Sequence, residues 1–165
     1  MEKIVIIPTY NERDNIEKIL RAVYNLQQDF HVLVIDDGSP DGTADVVRSL
    51  MHELDGTVFL EERRGKLGLG TAYIHGFKWA TKRGYEFIFE MDADFSHDPA
   101  DLPRLIDALS VAVSRFPAAT VSAAAGSNCS SRAGWLTWPS HRAPLPDPRG
   151  RRCAGDHILR VPPIP

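Results

Sequence analysis

Hydrophobic and polar positions alternate with two different periods along the first two thirds of the chain. Short runs dominated by Ile, Val, Leu and Phe are typical of buried strands, because β-branched and aromatic side chains pack well on a pleated surface. Such runs predict four strands, at residues 3–7, 31–35, 57–60 and 85–91. Between them, apolar residues recur at three- and four-residue spacing, which predicts amphipathic helices within residues 16–24, 44–54, 72–80 and 100–112.

This alternation of strands and helices indicates an α/β fold with a mostly parallel sheet and helices on both of its faces. In open sheets of this kind, ligands bind outside the carboxyl ends of the strands. The ends of the predicted strands are also where the sequence places its unusual polar residues. We therefore expect a functional site at that edge of the sheet.

Asp92 and Asp94 follow the fourth predicted strand and stand one residue apart. Carboxylate oxygens are ligands of hard divalent cations, and two of them leave several coordination positions open for a diphosphate. The spacing therefore indicates a metal site. The alternative is a loop of solvated acids in which Asp98 caps the following helix.

A loop at residues 62–71 combines three basic residues and three glycines immediately before a predicted helix. Flexible backbone, cationic side chains and a helix N-terminus together favour an anion. Lys66 is the best single candidate for a phosphate contact in this loop. The alternative is a solvated basic loop whose glycines only permit a tight turn.

Four motifs follow one another along the chain: PTYNE at residues 8–12, DDGSPDGT at 36–43, LGLGTAY at 67–73 and MDADFSH at 91–97. Together they closely resemble the family-2 inverting glycosyltransferases with a GT-A fold. Within that family the sequence is most similar to the dolichyl- and polyprenyl-phosphate mannosyltransferases. The resemblance covers residues 1–112 and implies a Rossmann-like nucleotide-sugar-binding domain over that range.

The resemblance implies a role for individual residues at these motifs. Asp92 and Asp94 would bind Mg²⁺ or Mn²⁺ and act directly in catalysis, and Lys66 and Arg115 are candidates for contacts with the acceptor or its phosphate. Asp36 is an alternative to Asp37 as the ligand-facing acid of its pair. The residues implied to bind the nucleotide sugar are Pro8, Tyr10, Glu12, Ile35, Asp37, Asp92, Ala93, Asp94 and Ser96.

The activity implied by the resemblance is metal-assisted transfer of mannose from GDP-mannose to a dolichyl or polyprenyl phosphate, with inversion. One alternative is an inactive fragment that still binds a nucleotide sugar. Another is a family-2 transferase that uses a different donor, such as UDP-glucose. A phospho-acceptor signalling domain ranks last, because its acidic pair would follow the first strand, where this chain has residues 8–12 instead.

Residues 113–165 lose the alternating pattern of the preceding chain. Pro, Arg, Ser and Ala dominate there, lysine is absent, and no apolar periodicity remains. This composition predicts an irregular or disordered tail. The family resemblance ends before this segment and implies a domain that is incomplete on its acceptor side. The abrupt change also suggests a shifted reading frame, a hypothesis that resequencing of the gene would test.

Composition narrows the expected partners and location. The net charge of −3 argues against a general nucleic-acid partner. No apolar run approaches the roughly 20 residues of a membrane span, and no signal peptide is recognisable. We therefore expect a cytoplasmic protein, peripheral at the membrane face where a lipid phosphate acceptor would lie. Cys129 and Cys153 lack metal-ligand spacing, and we expect no structural disulfide.

Overall fold

In a computed structural model, the protein is described over residues 2–107 and in three short strands beyond them. The strands are β1 Lys3–Thr9, β2 Phe30–Asp36, β3 Val58–Glu62, β4 Phe87–Glu90, β5 Val121–Ser122, β6 Leu136–Thr137 and β7 Ile158–Arg160. The helices are α1 Arg13–Tyr24, α2 Thr43–Glu53 and α3 Leu69–Lys82. Residues 101–107 are also helical.

The main sheet has the strand order β3-β2-β1-β4-β7. Its first four strands are mutually parallel, and β7 pairs with β4 in the antiparallel direction. The predicted strands and helices of the first two thirds are therefore confirmed, as is the mostly parallel α/β sheet. Every parallel strand of this sheet ends at the same edge.

The strands β5, β6 and β7 lie in the region that the sequence predicts to be irregular. At these positions β7 pairs with β4 in the main sheet and β5 pairs with β6. The predicted irregularity of the other residues in 113–165 lies outside the described residues and stays a prediction. Strands of two or three residues are too short to show a period, and their pairing depends on the partner strand rather than on their own pattern. Residues 108–112 of the last predicted helix lie outside the described residues.

Residues of β1 alternate between two separate hydrophobic clusters. Val5 and Ile7 pack in the cluster that includes the apolar sides of α1 and α2. Ile4 and Ile6 pack in the cluster beneath α3. Because successive side chains of a strand point to opposite faces of the sheet, a continuous apolar run serves both layers of helices at once.

Gly76 allows α3 to approach the sheet closely. A Cβ atom built on Gly76 would lie 2.7 Å and 2.8 Å from two side-chain carbons of Ile6 and 3.0 Å from Cδ1 of Ile35. Ile6 and Ile35 are fully buried, so neither can move aside without disturbing its neighbours. A glycine at this position therefore fixes the spacing between α3 and the strands that lead to the functional edge.

We expect Gly76→Ala to lower the free energy of unfolding by about 1–3 kcal/mol, because overpacking outweighs the gain in helix propensity. Gly70→Ala in the same helix is the matched control, since a Cβ atom there would meet nothing within 4 Å. It should leave stability unchanged or raise it by less than about 1 kcal/mol. Urea denaturation of both variants measures the difference, and equal stabilities would contradict the close packing at Gly76.

Candidate functional site

A cavity of about 250 Å³ opens at the edge where the parallel strands end. Its lining comes from the loops that follow β1, β2 and β4 and from the loop and first turn of α3. The lining residues are Pro8, Thr9, Tyr10, Glu12, Asp37, Lys66, Gly68, Leu69, Ala72, Asp92, Ala93 and Asp94. Eight of these twelve residues are candidates that the sequence had indicated.

Two of the predicted site residues that the structure describes, Ser96 and Ile35, are not part of this lining. Ser96 is exposed and lies beside Asp94, and Arg115 lies outside the described residues. The side chain of Ile35 is fully buried in the cluster beneath α3. Strand alternation turns this side chain towards α3 and into the core. The expectation that Ile35 helps to form the nucleotide pocket stays a prediction.

The two neighbouring acids after β2 have separate surroundings. Asp36 is buried and accepts hydrogen bonds from the Thr9 hydroxyl, at 3.0 Å, and from the backbone N–H and hydroxyl of Ser39. Asp37 lines the cavity, whereas Asp36 does not. Asp36 therefore holds the strand end and its loop together, and Asp37 is the acid of the pair that faces the cavity.

Asp37 is also joined to the basic loop that follows β3. Its Oδ1 lies 2.6 Å from the guanidinium of Arg63, and its Oδ2 accepts the backbone N–H of Leu67 at 3.1 Å. The side chains of Asp37 and Arg63 are only 8% and 9% exposed. An ion pair so shielded from water is held rigidly, because separating the two charges would leave both of them poorly solvated.

Asp92 is held by a side chain from α3. The Tyr73 hydroxyl donates to Oδ1 of Asp92 at 3.0 Å, and Asp92 itself is half-buried in the cavity wall. Tyr73 stacks on Phe77 in the same helix, with ring centroids 6.5 Å apart. A carboxylate oriented in this way by a neighbouring donor is suited to bind a cation in a fixed direction.

Asp94 is exposed and is oriented by Ser96. The backbone N–H of Ser96 donates to Oδ1 of Asp94 at 2.9 Å. The Ser96 hydroxyl and this backbone N–H together hold the pKa of Asp94 below its ordinary value. Phe95, between them, has a φ of 60°, in a region that is costly for a bulky residue. This sharp turn brings the Ser96 donors back to the preceding carboxylate.

Two carboxylates are a sufficient protein contribution for Mg²⁺ or Mn²⁺ beside a diphosphate. Mg²⁺ sites of this kind commonly use one or two carboxylates and complete their coordination with phosphate oxygens and water. Within residues 2–107 and the three short strands, no group of three His, Cys, Asp or Glu side chains is placed to hold a metal by itself. The donor set of Asp92 and Asp94 therefore fits a metal that shares its coordination with a substrate.

Lys66 and Tyr10 meet at the opening of the cavity. The Lys66 ammonium lies 4.5 Å from the centre of the Tyr10 ring, within the range of a cation–π contact. Both side chains are exposed, Tyr10 to 37%. Glu12 lies nearby in the lining and accepts a hydrogen bond from the Asn15 amide at 3.0 Å. The opening thus presents one cation and an aromatic face to an incoming ligand.

Arg63 and Tyr73 contact site carboxylates but received no individual role from the sequence. Arg63 follows β3, which neighbours β2, so adjacency of the two strand ends is a signal that would have placed it near Asp37. No local signal identifies Tyr73, because its contact with Asp92 depends on how α3 packs against β4.

Comparison with known proteins assigns the family. A family model described as glycosyl transferase family 2 matches residues 4–153. The chain belongs to this family. The match extends past residue 112, where the resemblance in the motifs ends. The α/β sheet with its cavity at the strand ends is accordingly a GT-A fold.

Two bacterial relatives share nearly half of the aligned residues. A polyprenol monophosphomannose synthase from Mycolicibacterium smegmatis is 48% identical over 106 residues, which cover 64% of this chain and 40% of the relative. An undecaprenyl-phosphate mannosyltransferase from Micrococcus luteus is 46% identical over 112 residues, covering 68% of this chain and 46% of the relative. The chain thus spans less than half the length of either relative.

One solved structure with a similar fold is described as a complex with a nucleotide sugar and a metal ion. It is a mannosyltransferase from Pyrobaculum calidifontis in complex with GDP-Man and Mn²⁺, 31% identical with a TM-score of 0.51. The match covers 56% of this chain and 27% of that protein.

In the part of the chain that the structure describes, no helix is both long and apolar enough to cross a membrane.

We expect Ser96→Ala to raise the pKa of Asp94 towards its ordinary value, because the hydroxyl donor is lost while the backbone donor remains. In the native protein, the depressed pKa of Asp94 stabilises the folded state at a pH above the pKa that Asp94 has in the unfolded chain. This stabilisation is lost as the pH falls through the pKa that Asp94 has in the folded protein. A ¹³C NMR titration of the Asp94 carboxyl group measures the shift.

Ser49→Ala is the control for this prediction. The Ser49 hydroxyl donates to the backbone carbonyl of Asp45 on α2 at 3.1 Å, away from the cavity. Its removal should leave the pKa of Asp94 unchanged. An unaltered pKa in Ser96→Ala as well would show that the Ser96 hydroxyl does not hold the carboxylate.

Proposed function

We propose that the protein binds GDP-mannose in the cavity and transfers mannose to a polyprenyl or dolichyl phosphate with inversion. The observation that supports this most directly is the placement of Asp92 and Asp94 in one cavity with Tyr10, Glu12 and Asp37. The polyprenyl-phosphate names of two relatives and the GDP-Man complex of a third protein support the choice of donor and acceptor.

In this proposal the base of the donor lies at one end of the cavity, the base end, and its diphosphate lies at the other, the diphosphate end. Asp37 offers a fixed carboxylate to the N–H groups of the base, and the Tyr10 ring offers an apolar face against it. Pro8 and Glu12 complete the wall around the nucleoside, with Glu12 accepting from base or ribose donors. Asp92 and Asp94 lie at the diphosphate end, with the backbone of Ala93 beside the ribose.

A bound Mg²⁺ or Mn²⁺ would act as a Lewis acid that neutralises charge on the departing nucleoside diphosphate. Asp92 and Asp94 would hold it, with Tyr73 and Ser96 keeping the two carboxylates in position. Lys66, whose ammonium contacts the Tyr10 ring at the opening, remains a candidate for a contact with the acceptor or its phosphate. A metal held in this way would favour the negative charge that develops on the diphosphate as the glycosidic bond breaks.

The acceptor reacts from the opposite side of the sugar. A lipid phosphate oxygen attacks the anomeric carbon, the bond from that carbon to the diphosphate breaks, and its electron pair leaves with GDP. The configuration at the anomeric carbon is thereby inverted. A phosphate monoester is mostly dianionic near neutrality, since its second pKa is about 6, so the nucleophile requires little help from a general base.

Calorimetric titration with GDP and with UDP, each with and without Mn²⁺, tests the donor assignment. We expect Mn²⁺-dependent binding with a preference for GDP of at least tenfold. Asp92→Asn and Asp94→Asn should each weaken the Mn²⁺-dependent binding about 10- to 100-fold, because a neutral amide is a poor ligand for a hard cation. Asp45→Asn is the control, since that carboxylate is 80% exposed on α2.

Transfer is measured separately, as mannose passing from GDP-mannose into an organic-solvent-soluble polyprenyl product. Both site variants should lose it, and Asp45→Asn should retain it. Metal-dependent GDP binding without transfer would support the alternative of a nucleotide-sugar-binding fragment. A preference for UDP would contradict the mannosyl donor and favour a family-2 transferase with another nucleotide sugar.

A further inference from the structure

Arg63 links three parts of the site that are distant in sequence. It follows β3 directly, and its guanidinium lies 2.6 Å from Oδ1 of Asp37, at the end of β2. Nη1 donates to the Thr71 hydroxyl at 2.9 Å, and Nη2 donates to the Gly68 carbonyl at 3.4 Å. One side chain thus ties the cavity acid to the first turn of α3.

The Asp37 carboxylate is fixed at both of its oxygens. Arg63 holds Oδ1, and the backbone N–H of Leu67 donates to Oδ2. An ionised carboxylate has about four lone-pair positions. Nε and Nη2 of Arg63 and the backbone N–H of Leu67 use three of them, so one further donor can still be accepted, at Oδ2. Because Asp37 lines the cavity, that donor would come from a ligand.

The contacts of Arg63 require a planar, forked donor. A lysine ammonium is a compact charge that could reach Asp37 but would not also span Thr71 and Gly68 in one plane. The side chain is 9% exposed, so it does not act as a surface charge in solvent. Its neighbour Arg64 differs in this respect, because it is exposed.

We infer that Arg63 is a positioning residue that holds the Asp37 carboxylate as a rigid acceptor for the N–H donors of the nucleobase. It thereby sets the part of the nucleotide affinity that depends on the base. Guanine presents two adjacent donors, N1–H and the 2-amino group, whereas uracil presents a single N3–H. This inference rests on the proposed function, in which Asp37 lies at the base end of the cavity.

The test compares a ligand that has a base with one that lacks it. GDP and inorganic pyrophosphate are titrated into the native chain, Arg63→Met, Arg63→Lys and Arg64→Met, always with Mn²⁺. We expect Arg63→Met to weaken GDP about 10- to 50-fold while pyrophosphate changes less than threefold, because only GDP uses the acceptor that Arg63 positions. The GDP affinity of Arg63→Lys should lie between those of the native chain and Arg63→Met. Arg64→Met should change the affinity for GDP and for pyrophosphate less than twofold.

A merely structural role for Arg63 predicts a different result. Loosening of the whole site would weaken GDP and pyrophosphate by the same factor, and that outcome would overturn the inference. An unchanged GDP affinity in Arg63→Met would overturn it as well. If Arg63→Met does not fold, Thr71→Val decides the question, because it removes the second anchor of the guanidinium and should weaken GDP alone, by about two- to fivefold.

Failure of the donor assignment gives a separate signature. A native chain that prefers UDP contradicts GDP-mannose as the donor, and the ratio of UDP to pyrophosphate affinities in the Arg63 variants then decides the role of Arg63 in the same way. A native chain that binds pyrophosphate but neither nucleotide overturns both the donor assignment and the inference.

Discussion

The parallel pairing of β1 with β2 on one side and β4 on the other is the constraint on which the site depends. The register places Thr9 opposite Asp36 and Ile6 opposite Glu90, so all three strands end at one edge of the sheet. The loops after them therefore deliver an aromatic ring, a carboxylate and a carboxylate pair to one cavity. Burial of both faces of the sheet fixes this register, because a shift by one residue would exchange the side chains of the two hydrophobic clusters.

The neighbouring acids Asp36 and Asp37 at this edge differ in whether they contact only the protein or also face the cavity. Asp36 accepts three hydrogen bonds, from Thr9 and Ser39, whereas Asp37 is shared between Arg63, Leu67 and the cavity. Among the described residues, every buried side-chain nitrogen or oxygen has a hydrogen-bond partner. The site acids are thus held before any ligand arrives, which lowers the cost of ordering them on binding.

Comparison of particular residues shows where sequence patterns are informative. The strand β4 and the acids after it were predicted together, because an apolar run ending in two spaced carboxylates is a local signal. The choice between Asp36 and Asp37 stayed open, because the strand ends between these two residues and its exact end could not be read from the pattern. Ile35 was assigned to the pocket through the family resemblance, while the strand period turns its side chain into the core. Tyr73 and Arg63 received no individual role, since their contacts join elements far apart in the chain.

The sequence by itself determined the order of strands and helices over the first two thirds of the chain, the mostly parallel sheet, the family and most of the residues around the cavity. These features follow from periodicity and from short motifs at strand ends, both of which are local properties of the chain. Only the tertiary structure decided which acid faces the cavity, which donors hold Asp37 and Asp92, and how closely α3 approaches the sheet at Gly76. Those features depend on distances between residues that the chain separates widely, and packing alone sets such distances.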